Sequence, residues 1–295
     1  MRQCLLYFRR EIITRGECHI LARMRQFLRS HGGKVEIRFT PMSCQQGEEK
    51  ALASGDVAAA HHLDAAFCGA AAALGAGWTL AAPEAPGEPL FRVVGRAWLE
   101  DAGGAARSCP MLTALKPVEG GTARSFLAEK QSFAAAWVTL SDKGARGARA
   151  DEAGPLIGRM LGEALPVALC RGYLLPDEPV LLRALLSDLA LHQGYDLVCT
   201  TGGTGLSPRD RTPEATEKVL DYLVPGMAQA MMQASLAATA RAMLSRAVAG
   251  VAGRCLIVNL PGSPKAVREN LSALLPALPH ALAKLAGDAA DCGQG

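Results

Sequence analysis

Aromatic residues are scarce in this 295-residue chain, 5% in all, with three Trp, four Tyr and seven Phe. It is therefore not built around a platform of stacked rings for single-stranded nucleic acid. No block of like charge stands out: 31 Lys and Arg against 28 Asp and Glu leave a net charge of +3 and a pI near 8.4. Interspersed signs of this kind give no stripe able to follow a phosphate backbone, which disfavours nucleic acid as the main ligand. The nine cysteines, Cys4, Cys18, Cys44, Cys68, Cys109, Cys170, Cys199, Cys255 and Cys292, include no C-x-x-C pair. An odd, scattered set lacks the clustering of a zinc site and suits a reducing compartment better than a disulfide framework. Long apolar runs are also missing. The longest uncharged stretch, 65–83, is mostly Ala and Gly with little Leu, Ile or Val, a poor candidate for a membrane helix. The apolar run before Arg9 and Arg10 is too short for a signal segment. Together these absences imply a soluble, cytoplasmic protein.

What is present is apolar material, 49% of residues, with 31 Gly and 17 Pro. That is enough for a sizeable core, and the length lies near the point where single cores stop growing and chains divide. The pattern changes near residue 132, so two domains are expected, 1–132 and 133–295.

The first domain reads as a small α+β unit. Its first forty residues are basic, with Arg2, Arg9, Arg10, Arg15, Arg23, Arg25, Arg29, Lys34 and Arg38 outnumbering Glu11, Glu17 and Glu36. A solvated helix face accounts for this, and an acidic partner is the alternative. A helix is expected at 20–28 before the Gly32-Gly33 stop, and strands at 34–39, 91–98 and 111–115. His61, His62 and Asp64 form a ligand-like cluster, but adjacent histidines point apart on a helix or a strand, which argues against a shared metal.

From Phe133 onward, short apolar runs at 134–140, 167–174, 196–201 and 255–260 alternate with amphipathic helical segments at 154–165, 178–192, 212–223, 228–244 and 264–285. This alternation is the signature of βαβ units, and so of an α/β fold with a mainly parallel, doubly wound, three-layer sheet. In such a sheet the ligand crevice lies beyond the carboxyl ends of the strands. Four strand ends carry polar or Gly-rich segments: Ser141-Asp142-Lys143-Gly144, Pro176-Asp177-Glu178, the segment from Thr200 to Asp210, and Asn259-Leu260-Pro261-Gly262-Ser263-Pro264. Turn chemistry explains any one of them. Four on one edge of one sheet point to a site.

Thr201, Gly202, Gly203, Thr204 and Gly205 are the most informative. Glycines directly after a buried strand let backbone approach a ligand, and successive exposed N–H groups make an anion nest. Neither the Walker loop nor the GxGxxG fingerprint is present, so a phosphate loop of another class is inferred. Asp210 follows this loop and Asp177 ends the preceding strand. A carboxylate about 4 Å from a phosphate charge is repelled by about 4 kcal/mol at an effective dielectric of 20, so these aspartates make sense beside a nest if a cation lies between. Mg²⁺, which binds through one or two carboxylates plus substrate phosphates, fits. The structural alternatives are an ion pair of Asp210 with Arg209 or Arg211, and Asp177 as the N-cap of the following helix. Cys199, beside the loop, reads as a buried strand cysteine and not a reactive thiol.

Residues 133–288 resemble the molybdopterin adenylyltransferases of molybdenum cofactor biosynthesis, the Mog-type and MoaB-type proteins. The matching segments are Ser141-Asp142 with Gly147, Asp151 and Gly154-Pro155; Pro176-Asp177-Glu178; the Thr200 to Gly205 loop continuing through Arg209-Asp210 to Thr212-Pro213-Glu214-Ala215-Thr216; Pro225-Gly226; Leu244-Ser245-Arg246; and Asn259 to Pro264. The resemblance implies Mg²⁺-dependent adenylyl transfer from ATP to molybdopterin with release of pyrophosphate. It makes Asp177 and Asp210 the catalytic and metal-binding residues. It assigns nucleotide and phosphate binding to Thr201, Gly202, Gly203, Thr204 and Gly205, and substrate binding to Ser141, Asp142, Pro261, Gly262 and Ser263. It also implies a homotrimer and a molybdenum insertase downstream. One departure stands out: where the family usually has an acidic residue and, three positions on, an arginine, this chain has Gln229 and Met232. That departure motivates a second reading, a non-catalytic molybdopterin carrier. A fold relative, such as the molybdenum insertase or the competence-damage-type pyrophosphatase, is the other alternative. Residues 1–132 match no part of the family's minimal domain, and their role is not legible.

Overall fold

The computed structural model describes residues 34–54, 60–100 and 104–287. The expected helix at 20–28 and the basic stretch through Arg29 lie outside the described residues. The chain divides into two compact units. One comprises Met1–Leu74, Trp78–Arg92 and Ala97–Lys130, and the other Gly75–Gly77, Val93–Arg96 and Gln131–Gly295. The second unit thus takes in two short segments from before residue 132, and Ala76 is buried in its core.

The first unit is built on seven strands: β1 (Val35–Thr40), β2 (Glu49–Ala53), β3 (His61–Leu63), β4 (Thr79–Ala81), β5 (Pro89–Glu100, whose middle residues Val93–Arg96 count with the second unit), β6 (Ala106–Ala114) and β7 (Arg124–Glu129). They close into a barrel in the order β1-β3-β2-β6-β5-β4-β7, with β7 antiparallel to β1. A short helix, α1 (Cys68–Ala72), supplies the helical part. In β1 the period-two pattern is plain: Val35, Ile37 and Phe39 are buried while Glu36 and Arg38 face outward. Phe39 stacks on Phe126 with ring centroids 4.2 Å apart, and Phe91 packs edge-on against Phe126. The three expected strands are present within β1, β5 and β6. Of the other four, β3 and β4 have only three residues each and β2 has two Ala in five, too little to show alternation, while in β7 the half-buried Leu127 beside the buried Ala128 blurs it.

His61 sits fully buried against Phe39 and Phe91, and its Nδ1 accepts from Met42 N at 3.0 Å. His62, on the opposite face of β3, is exposed. The two histidines therefore cannot share a metal, and among the described residues no group of three or more His, Cys, Asp or Glu side chains is placed to hold one.

The second unit carries a six-stranded sheet in the order β11-β12-β13-β10-β8-β9. The four strands β8 (Phe133–Leu140), β9 (Val167–Leu175), β10 (Leu197–Thr201) and β13 (Cys255–Leu260) are parallel. β11 (Tyr222–Leu223) and β12 (Ala249–Ala252) extend the sheet antiparallel. On one face, Leu156, Ile157 and Leu161 of α3 (Ala153–Ala164) form a core with Val267 and Leu271 of α7 (Pro264–Leu274). α2 (Asp142–Ala145) is a single turn after β8. On the other face, Leu182 and Leu186 of α4 (Pro179–Ser187) form a core with Ala215 of α5 (Thr212–Glu217). The remaining helices are α6 (Pro225–Ala238) and α8 (Leu278–Ala286). This is the doubly wound, three-layer α/β fold with a mainly parallel sheet.

Several elements differ from the sequence reading; the helix expected over 228–244, for one, runs from Pro225 to Ala238, and Thr239 opens a separate tight turn at Ala240–Leu244. The helix expected over 212–223 stops at Glu217, and Tyr222–Leu223 pairs with β12 instead. β12 reads Ala-Gly-Val-Ala, in which Val251 alone favours a strand. Gly250 is needed there because a Cβ would lie 2.6 Å from Tyr222 O. The last helix breaks between α7 and α8 at Pro276, whose ring removes an N–H and clashes with the preceding turn.

Candidate active site

The parallel register sets Leu140 opposite Leu175, Thr139 opposite Thr201, and Thr201 opposite Leu260. The segments following β8, β9, β10 and β13 consequently leave from one edge of the sheet, where an α/β fold places its ligand. Every residue assigned to the nucleotide, substrate or metal site from the sequence lies on these segments, except Thr201, the last residue of β10.

The loop after β10 is held from within. Gly202 N donates to Leu260 O at 3.3 Å. Gly202 O accepts from Thr212 Oγ1 at 2.9 Å, and Gly203 O from Thr212 N at 3.1 Å. Thr204 O accepts from Arg246 N at 2.9 Å, and Gly205 O from Arg246 Nε at 2.8 Å. Four successive carbonyls are thus engaged inward, while the amides of Gly203, Thr204, Gly205 and Leu206 donate to no group among the described residues. That is an anion nest: a row of unpaired N–H groups. Gly202 and Gly203 are required, with φ of +101° and +64°. A Cβ on Gly202 would also lie 2.5 Å from Leu140 O.

Asp210 closes the loop. Its Oδ2 accepts from Ser207 N at 2.9 Å and its backbone N donates to Ser207 O at 2.9 Å, while the other carboxylate oxygen has no partner among the described residues. It makes no ion pair with Arg209 or Arg211. Arg209 reaches instead to Asp142 (2.7 Å) and Glu178 (3.4 Å).

Asp177 and Asp142 are locked reciprocally: Asp142 N donates to Asp177 Oδ2 at 3.0 Å and Asp177 N to Asp142 Oδ1 at 3.1 Å. Asp177 does not cap the following helix. Glu178 occupies the N-cap of α4 without a side-chain bond, and the second oxygen of Asp177 stays free. Both oxygens of Asp142 are occupied, by Asp177 N and Arg209, so its carboxylate fixes the loop after β8. Asp177, Glu178, Arg209, Arg211 and Thr212 line a shallow cleft with Leu140.

The remaining walls are turn residues with their hydroxyls in use. Ser141 Oγ caps α2 by accepting from Gly144 N, and Ser263 Oγ caps α7 by accepting from Ala266 N. Thr201 Oγ1 donates to Pro261 O at 2.7 Å, tying two strand ends together, and Thr204 is buried. Gly262 packs against Gly202, where a Cβ would lie 3.3 Å from Gly202 Cα. Cys199 is buried, and burial pushes its thiol up to about 12, so it is not a nucleophile.

Sequence reasoning gave no role to Arg246, Glu214 or Thr212, which hold the loop. Their only signal was position within segments that match the family. Burial alone would push the Glu214 carboxyl up, but its own amide, the Arg246 guanidinium and the nearby Arg211 charge hold it below the ordinary carboxylate range.

Residues 136–280 match the family described as "Probable molybdopterin binding domain". Over 152 residues the chain is 40% identical to the molybdopterin adenylyltransferase of Helicobacter pylori, covering 51% of this chain and 86% of that protein. The chain belongs to the Mog/MoaB-type molybdopterin adenylyltransferase family. It is also 41% identical over 154 residues to gephyrin of Dictyostelium discoideum, which covers 49% of this chain but only 21% of gephyrin. The solved structure of the molybdopterin biosynthesis enzyme MoaB from Thermus thermophilus superposes with a TM-score of 0.50 at 50% identity, over 53% of this chain and 98% of that one. The family match thus falls on the second unit, where the nest and both aspartates lie.

Proposed function

We propose that residues 133–295 catalyse adenylyl transfer from ATP to molybdopterin, within molybdenum cofactor biosynthesis, and that residues 1–132 form a separate domain whose role stays unassigned. The observation that carries this reading is the run of free amides at Gly203 to Leu206, closed by Asp210, on the sheet edge that also carries Asp177; each aspartate keeps one unpartnered oxygen. Backbone amides suit phosphate oxygens, and family membership supplies the substrates.

The two free carboxylate oxygens of Asp177 and Asp210 fit Mg²⁺, which takes one or two carboxylates and completes its shell with water and substrate phosphate. When bound there it would offset phosphate charge. The chain's own contribution is positional. The nest fixes ATP phosphates, and the walls from Ser141, Asp142, Pro261, Gly262 and Ser263 hold molybdopterin. A terminal phosphate oxygen of molybdopterin then attacks the α-phosphorus of ATP. The bond to the bridging oxygen breaks, and pyrophosphate leaves with that electron pair. The Arg209 guanidinium, 56% exposed at the cleft, is the cation available there to the departing pyrophosphate.

The carrier reading rested on Gln229 and Met232. Gln229 is exposed on α6, and Met232 lines a different small cleft with Ser235 and Asn270, so neither departs from the machinery around Asp177. The test is to incubate the full chain with molybdopterin, ATP and Mg²⁺ and to measure pyrophosphate. One pyrophosphate per adenylylated molybdopterin is expected. Molybdopterin binding without pyrophosphate would favour the carrier. We place the protein in the cytoplasm, a reducing compartment that suits its odd and scattered set of cysteines. Among the described residues no helix is long and apolar enough to cross a membrane.

A further inference from the structure

We propose that Arg246 is a positioning residue that sets the outer half of the nest and the Asp210 carboxylate as one rigid unit for an ATP phosphate; this rests on the adenylyl-transfer reading. A trans peptide is planar, with its N–H pointing opposite to its C=O. Each free amide of the nest therefore points outward only as long as the carbonyl in the same peptide is held inward. Gly202 O and Gly203 O, which orient the amides of Gly203 and Thr204, are held by Thr212. Thr204 O and Gly205 O, which orient the amides of Gly205 and Leu206, are both held by Arg246, through its backbone N at 2.9 Å and its Nε at 2.8 Å.

The same guanidinium reaches Asp210 O through Nη2 and the Glu214 carboxylate through Nη1. Gly205 of the nest and the backbone of Asp210 are thereby fastened to one planar group, and Glu214 fixes that group in turn. Arginine has a fork of donors in a fixed plane that can serve three acceptors in different directions, and a lysine ammonium cannot reproduce it. With its Nε and Nη2 committed to backbone, Arg246 acts through the loop.

The experiment compares the full chain with Arg246→Lys and Glu214→Gln. Mg²⁺·ATP affinity is measured by calorimetry, molybdopterin affinity by fluorescence, kcat and KM by pyrophosphate release, and the unfolding midpoint by circular dichroism. Arg246→Lys is expected to weaken Mg²⁺·ATP binding at least tenfold and to raise the ATP KM alike, with molybdopterin affinity within threefold. Glu214→Gln is expected to weaken Mg²⁺·ATP about threefold. A residue that is merely structural would lower the midpoint and leave the ATP affinity of the folded fraction unchanged. ATP affinity within twofold of the parent in folded Arg246→Lys overturns the proposal. If that variant does not fold, Glu214→Gln decides, and unchanged affinity there overturns it. A parent that binds ATP but releases no pyrophosphate overturns the adenylyl-transfer reading, while the comparison of ATP affinities still decides the role of Arg246. A parent that binds no ATP overturns both.

Discussion

Two side chains with unshared oxygens, Asp177 and Asp210, and one with none to spare, Asp142, illustrate how environment assigns roles to identical chemistry. Asp142 spends both oxygens on Asp177 N and Arg209 and so builds the wall, whereas its neighbours keep one oxygen each for a ligand. Residue type and position alone did not separate these roles; only the family resemblance set Asp142 apart, as a substrate-binding residue. The opposite lesson holds for His61, whose neighbour His62 made it look like a ligand. Burial lowers its pKa to about 4, and with Met42 N donating to Nδ1 the ring is held neutral. Between pH 6.5 and about 4 the unfolded chain therefore binds a proton that the folded chain does not, so stability is lost as pH falls through that window. At pH 5 the loss relative to pH 7 amounts to about 2 kcal/mol from this group. Urea unfolding of the parent and of His61→Phe at both pH values checks it: the substitution is expected to remove that share of the acid sensitivity, and an equal pH dependence in both proteins would contradict the account.

Among the elements, the parallel strands and their helices were legible because buried runs and amphipathic stretches alternate. β12 was not, its single strand former Val251 being set among Ala and Gly, and neither were the three-residue barrel strands. The glycine loop was legible as a nest from composition, but what holds it open was not, since Arg246 lies some forty residues away in sequence. The loop's demand for glycine is testable at two contrasted sites. Gly203 has φ of +64° and faces Thr212 Oγ1, so Gly203→Ala should cost about 1–2 kcal/mol in backbone strain and displace the Thr212 bond to Gly202 O. Gly162 lies in α3 with open space around it, so Gly162→Ala should stabilise by about 0.5–1 kcal/mol. Thermal unfolding reads both. Activity should fall at least tenfold in the first variant and stay within twofold in the second. A Gly203→Ala protein of full stability and activity would show that the loop does not need its left-handed turn.

At the scale of the whole molecule, the family match and the nest both fall within the second unit, which therefore should work alone. A fragment of residues 131–295 is expected to fold, to keep pyrophosphate release within threefold of the full chain, and to sediment as a trimer, the state implied by the family. It should melt lower than the full chain because Ala76, buried in the core of that unit, is missing. An insoluble or inactive fragment would place part of the first unit in the working machinery. The first unit itself was legible as mixed α and β, but not as a barrel, because closure depends on pairing between strands distant in sequence, β1 with β7 above all.

On the reading proposed above, this sheet edge performs phosphoryl chemistry through Asp210 and does not merely bind molybdopterin. Asp210→Asn keeps an oxygen to accept from Ser207 N and removes only the charge. Pyrophosphate release from ATP should fall at least a hundredfold in this variant, while its molybdopterin affinity stays within threefold of the parent. Turnover within twofold of the parent would contradict the account.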